Sequence, residues 1–284
     1  MRLATVRLDG GTRAARVDGE TLTLTDHEDV GALLATPGWE QELASFSGPT
    51  MALAEADLAP VVPRPEKIIG VGLNYPSHAE EARLSVPDHP PLFAKFWRSL
   101  IGPKDEIELP PNSDAPDWEV ELAVVIGRPT RHCSEADARD AIAGLTVIND
   151  VSMRDWQMRT SEFLQGKTFE RTTPFGPWLV TLDEIDDLNS IRMTCELDGV
   201  VVQDASTAEM SVSPTKLISY ISEFITLVPG DVIATGTPGG VGGAKTPPEF
   251  LAPGQTLRTR IEQIGELVNT CVAAGAAASE PARS

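Results

Sequence analysis

Apolar and polar residues alternate over positions 3–8 and again over Thr21–Leu24, with Asp9-Gly10 and Asp18-Gly19 punctuating the runs. A period of two predicts strands and the Asp-Gly pairs predict tight turns, so the chain begins as a short meander. The spacing becomes helical near 30–35 and 40–46, and Pro60, Pro63 and Pro65 then interrupt any regular element. This pattern marks off a small N-terminal α/β unit over residues 1–62.

A second regime begins near residue 65. Positions 67–73 read as a buried strand, and 76–84 as a short helix with Pro76 in its first turn. Strands are predicted over 92–97, 118–126 and 145–150, with a helix over 135–143. Segments 192–197 and 200–203 flank Asp198-Gly199, a hairpin signal. Helical spacing returns over 214–224, a strand over 232–235 runs into a Gly-rich loop, and 257–263 with 266–272 form a last hairpin. The expected fold is a β-rich α+β domain over 65–272, preceded by the small unit. The tail 273–284, AAGAAASEPARS, is expected to be disordered.

Charge narrows the function. The 284 residues carry a net charge of -19, which repels phosphate backbones and anionic lipid, so nucleic acid and membranes are poor partners. An anionic small molecule would need a local cation: a metal, a Lys or an Arg. Cys133, Cys195 and Cys271 are scattered, which argues against a thiolate zinc site or a disulfide framework. The N-terminus lacks a signal peptide's apolar run and no long apolar stretch follows, so a cytoplasmic protein is expected.

Glu119 and Glu121 interrupt an otherwise apolar strand, and residues two apart share a face. Asp150 ends the next apolar run. Three carboxylates gathered at strand ends form a hard oxygen site for Mg²⁺ or Mn²⁺. The competing reading puts both glutamates on a solvated strand face and makes Asp150 a helix cap. His78 and Glu81 share a helix face at i and i+3, as a general base with its orienting carboxylate or as part of a solvated helix. Two Gly-rich stretches are set aside: the run from Gly70 lacks the dinucleotide pattern, and Pro247-Pro248 spoils a phosphate loop after Lys245. Thr235-Gly236-Thr237-Pro238 better suits a substrate carboxylate, through the Gly236 backbone and the Thr237 hydroxyl. Arg154 and Asp155 either support the carboxylates or pair on a helix surface.

Six stretches together resemble the fumarylacetoacetate hydrolase family: IIGVGLNYPSHAEEA (68–82), DWEVELAVVIGRP (117–129), VINDVSMRDWQ (147–157), GKTFERTTPFGPWLVT (166–181), VVQDAST (201–207) and LVPGDVIATGTPGGVG (227–242). The resemblance covers about residues 65–272. It implies a mixed β-roll core, a homodimer and metal ligation by Glu119, Glu121 and Asp150. It makes Lys167 the active-site lysine, His78 and Glu81 the pair on a lid, and Gln157, Thr237 and Tyr75 substrate contacts, although Tyr75 can equally be core. Glu170 stands where many relatives carry Asp. The implied activity is hydrolysis of a C–C bond in a fumarylpyruvate-like 1,3-diketo acid during aromatic compound catabolism. Water activated by His78 would attack the ketone, with metal and Lys167 stabilising a pyruvate enolate. Oxaloacetate decarboxylation and isomerisation of a hydroxymuconate-type acid use nearly the same residues. A non-catalytic binding protein is the reading from another class, and it predicts a degraded site.

Overall fold

A computed structural model describes residues 1–275. Its centre is the strand Val120–Ile126, buried along its whole length between Ile142–Asn149 on one side and Val232–Ala234 on the other. Both faces of this strand are covered, which explains its unbroken apolar run. Val120, Leu122, Val124 and Ile126 pack with Met193, Cys195, Leu257 and Leu267 of a second, five-stranded sheet. Ala123 and Val125 face the other way, towards Val30, Leu33 and Leu34 of the N-terminal unit. Leu33 and Leu34 are almost fully buried there, each contributing roughly 1.5–3 kcal/mol.

The N-terminal meander continues the main sheet. Its first strand, Arg2–Leu8, pairs antiparallel with Thr173–Val180 through Arg2↔Val180 and Leu3↔Leu179. The main sheet thereby reaches twelve strands, ending beyond Val232–Ala234 with Ile68–Val71 and Leu92–Lys95. The mixed, strand-rich α+β architecture expected from the sequence is the one observed.

Three boundaries differ from the periodicity. The helix expected over 135–143 stops as Glu135–Ala138 plus one 3₁₀ turn, because Ile142 already pairs with Ile126 as a strand. The helix after Tyr75 ends at Glu81, where Arg83 takes a left-handed φ of 57°. The last strand, Gly265–Ala273, runs into the segment expected to be a disordered tail; the rest of that expectation, 276–284, lies outside the described residues.

Candidate active site

Glu121 is in phase with Ala123 and Val125, on the sheet face that carries the N-terminal helices. Towards the start of the strand that face borders a cavity of about 630 Å³ instead. Glu119 precedes the strand proper, yet it is fixed without a ladder. Its N–H donates to Asn149 Oδ1 at 3.0 Å, and its carbonyl accepts from Asp150 N at 2.9 Å. The next strand thus delivers Asp150 beside it. Oxygens of Glu119, Glu121 and Asp150 lie within 4.8 Å of one another, and all three residues are buried. The solvated-face reading of the two glutamates does not hold.

Lys167 enters this cluster on the short helix Leu164–Lys167. A Cβ on Gly166 would lie 2.5 Å from Gln157 N, so only glycine lets this helix sit so close to Arg154–Gln157. Lys167 Nζ donates to Glu119 Oε2 at 2.6 Å and to Asp150 Oδ2 at 2.9 Å. Burial works against its charge, but Asp150 and Glu119 outweigh burial and raise its pKa.

Two charged residues that sequence reasoning missed complete the cluster. Lys95 is fully buried and donates to Asp150 Oδ1 at 2.6 Å and to the Lys167 carbonyl. Burial lowers its pKa despite Asp150. Asp117 accepts from the backbone N–H groups of Trp118, Gly242 and Gly243 and from Arg154 Nε, at 2.7–2.8 Å. Both had a signal. Lys95 shares the buried face of its strand with Phe93, and Asp117 extends the period-two series of Glu119 and Glu121. The Arg154–Asp155 alternatives divide between the two residues. Arg154 pairs with Asp117 and, at 2.6 Å, with Glu119, whereas Asp155 accepts from Ser113 on the surface.

The electrostatics are unequal within the cluster. Burial opposes the charge of Glu119, but Lys167 and Arg154 hold its carboxyl down to about 2. Glu121 has only the Gly236 N–H, at 2.8 Å. Its burial, with Asp150 and Glu119 beside it, pushes its carboxyl well above the usual range. Four buried carboxyl groups therefore face two buried ammoniums and the half-buried Arg154 guanidinium, and the surplus carboxyl is Glu121. A divalent cation among Glu119, Glu121 and Asp150 would neutralise that surplus, and a donor set of carboxylate oxygens suits Mg²⁺ or Mn²⁺.

Another part of the cavity lining comes from the helix Pro76–Glu81. His78 Nδ1 lies 2.7 Å from Glu81 Oε1, and Glu81 Oε2 accepts from Gly240 N at 2.7 Å. This contact makes Nδ1 the protonated nitrogen and leaves Nε2 basic. His78, Glu81, Glu119, Glu121 and Lys167 all line the one cavity.

The expected substrate contacts separate. Gln157 and Thr237 line the cavity; Gln157 Oε1 accepts from Arg154 Nη1 at 2.9 Å, and Thr237 Oγ1 from Gln203 Nε2 at 2.9 Å. Tyr75 takes the core alternative: it is fully buried and its hydroxyl donates to Met193 Sδ at 3.3 Å. Gly236 is corrected, since its N–H serves Glu121 and is spoken for. Its φ of +97° and its contact with Asn74 Cβ and Val71 O require glycine there. Glu170 lies on the surface, paired with Arg98.

The stretch of chain that carries these residues matches a known family. The sequence profile of the fumarylacetoacetate (FAA) hydrolase C-terminal domain matches residues 67–272. The chain belongs to the fumarylacetoacetate hydrolase family. A human mitochondrial oxaloacetate tautomerase is 45% identical over 226 residues, 79% of this chain and 72% of that protein. The mitochondrial setting in its name does not fit plainly with the cytoplasmic one expected from the sequence. Among solved structures, 2-hydroxyhepta-2,4-diene-1,7-dioate isomerase from Mycobacterium marinum superposes with a TM-score of 0.79 at 32% identity, over 97% of this chain and 99% of that one. Maleylpyruvate hydrolase from Sphingobium, in complex with manganese(II) and pyruvate, gives a TM-score of 0.78 at 28% identity, over 96% and 100%. These family relatives are named as enzymes of three reaction types. No helix among the described residues is long and apolar enough to cross a membrane.

Proposed function

We propose that this protein is a divalent-metal-dependent enzyme that moves a proton at the carbon beside the keto group of a 2-oxo acid, as a tautomerase or double-bond isomerase does. The observation that carries this reading is the hydrogen-bonded His78–Glu81–Gly240 series lining the same cavity as the carboxylate–lysine cluster. Glu119, Glu121 and Asp150 would hold the cation, which would supply Lewis acidity to the bound 2-oxo acid.

The protein's own groups supply the remainder. Arg154 lines the cavity and its buried Nη2 has no hydrogen-bond partner, so a small turn of the side chain brings this N–H to the substrate carboxylate. Lys167 spends two of its three N–H groups on Glu119 and Asp150, leaving one for charge that develops on the enolate oxygen. Glu81 holds the imidazole through Nδ1, and Nε2 takes the C–H proton and returns it to carbon or oxygen. No carbon–carbon bond breaks, so the product is an isomer of the substrate. The identity with the oxaloacetate tautomerase supports this reading.

Hydrolysis of an acylpyruvate such as fumarylpyruvate is the second reading. The cavity favours it: about 630 Å³ with walls that include Phe93, Phe163 and Phe250 is more than a four-carbon acid fills. In that reaction His78 takes a proton from water attacking the distal ketone, and pyruvate leaves as its enolate beside Lys167. Decarboxylation of oxaloacetate uses the same lysine.

Oxaloacetate, a hydroxymuconate-type acid and fumarylpyruvate, each offered with Mg²⁺, with Mn²⁺ and after EDTA, separate the readings. Metal-dependent change of the enol absorbance without pyruvate or carbon dioxide supports the first. Pyruvate release from the diketo acid replaces it with the second, and carbon dioxide release makes the protein a decarboxylase. Silence of the metal-loaded protein on all three revives a binding protein. The proposed assembly is a homodimer, which sedimentation reads directly.

A further inference from the structure

Four cations line the cavity: Arg83, Arg154, Lys167 and Lys245. Three have carboxylate partners. Arg154 pairs with Asp117 and Glu119, Lys167 with Glu119 and Asp150, and Lys245 with Glu249 at 2.5 Å. Arg83 forms no ion pair among the described residues.

Its backbone is also unusual. Arg83 follows the helix that carries His78 and Glu81, and its φ of 57° lies in the left-handed region. The helix closes through Arg83 N to Glu80 O and Leu84 N to Ala79 O, both at 2.9 Å. This arrangement normally takes Gly or Asn at the left-handed position, because a Cβ there is strained. Arg171 shares such a φ, 55°, but is paired with Glu108, so it is the unpaired Arg83 guanidinium at the cavity, in a protein of net charge -19, that calls for a function.

The cavity supplies one. Apart from its charged groups the cavity lining is largely apolar, with Phe93, Phe163, Met158, Leu84 and Phe250. A long-range negative field disfavours a dianion, so a second carboxylate needs its own local cation. We propose that Arg83 selects substrates that carry a second carboxylate at the far end: 2-oxo dicarboxylic acids with an apolar or unsaturated stretch between the two acid groups. The guanidinium binds that distal carboxylate in a fork, while the 2-oxo acid end lies at Glu119, Glu121 and Asp150. This rests on the reading that the carboxylate cluster takes the 2-oxo acid.

The test pairs an unsaturated 2-oxo diacid such as fumarylpyruvate with its distal methyl ester, in the metal-loaded protein. The ratio of kcat/KM for the diacid over the ester falls by about tenfold or more in Arg83→Gln, through KM, for the loss of one charge-assisted pair. Arg83→Lys keeps part of the ratio, since it retains a point charge without the fork. Arg83→Asn suits the left-handed turn and lowers the ratio equally, which separates loss of charge from loss of the turn. An unchanged ratio in both neutral variants, or equal losses on both substrates, overturns the proposal. Thermal-shift titration with each compound reads the same preference without turnover. A wild-type preference for the diacid that vanishes in Arg83→Asn, with no turnover of either compound, sinks the enzyme reading and sustains Arg83. A preference that survives Arg83→Asn sinks Arg83.

Discussion

The sheet wall and the helical wall of the cavity hold their charges by different means. On the sheet wall, Glu119, Glu121, Asp150, Lys95 and Lys167 are buried, and each is fixed by hydrogen bonds to strands or to one another. On the helical wall, the side chains of His78 and Glu81 are 14% and 20% exposed. Their six-residue helix is tied to the loop beneath by Gly239 N to Ser77 Oγ and Gly240 N to Glu81. Preorganised charge belongs on a rigid frame, where it costs no reorganisation as the reaction proceeds. A base that must meet substrate and release product suits a lightly tethered element. Stability and activity should therefore be coupled on one wall and separable on the other.

The largest expected effect comes from the sheet wall. Lys167→Met leaves Glu119 and Asp150 with one buried ammonium fewer, and breaking a buried ion pair from one side costs about 3–5 kcal/mol. On the proposed mechanism the same change removes a donor to the enolate and lowers kcat by roughly 10²–10³-fold. Thermal melting with steady-state kinetics checks both, and a variant that loses activity while melting like wild type breaks the comparison. On the helical wall, His78→Ala lowers kcat by roughly 10²–10⁴-fold. Its melting temperature and its affinity for Mn²⁺, read by calorimetry, stay at wild-type values. A large fall in either would place His78 in the structural frame.

Metal binding sharpens the contrast through pH. Glu119 ionises near 2 when folded and near ~4.3 when unfolded, so its contribution is fully present above the unfolded value and is lost as pH falls towards 2. Glu121 has the opposite sign. Its raised folded pKa means that the metal-free protein binds a proton there that the unfolded chain has released, so stability falls as pH rises through that interval. A divalent ion removes the penalty. Stabilisation by Mg²⁺ or Mn²⁺ in a melting experiment should therefore grow as pH rises from the acid side, and a gain independent of pH would exclude Glu121 from the ligand set.

How much of this was legible in the sequence follows from what each feature depends on. The strand carrying Glu119 and Glu121 was readable because period two is local, and the same period reached back to Asp117 unnoticed. The pairing of His78 with Glu81 was readable because three residues span about one helical turn. Lys95 lies 55 residues from the aspartate it meets, and no spacing rule joins them. The fate of Tyr75 was equally hidden. A buried aromatic core residue and an aromatic substrate contact look alike in sequence, and only the contact with Met193 decided it. Arg83 escaped because a left-handed turn is announced by Gly or Asn, and here neither is present.

The smallest expected effect tests two adjacent residues. Arg154 and Asp155 start the same short helix, and sequence alone could not choose between a role at the site and a pair on the surface. Arg154 turns inward to Asp117, Glu119 and Gln157. Asp155 turns outward and accepts from Ser113 Oγ at 2.6 Å. Asp155→Asn keeps an oxygen for that hydroxyl and removes a charge that water already screens. Melting temperature, Mn²⁺ affinity and kcat/KM should all stay where they are. If Asp155→Asn instead shifts metal affinity, the field of the cluster reaches through the helix to its outer face. The division between a charged wall sealed from solvent and a surface that does not sense it would then have to be redrawn.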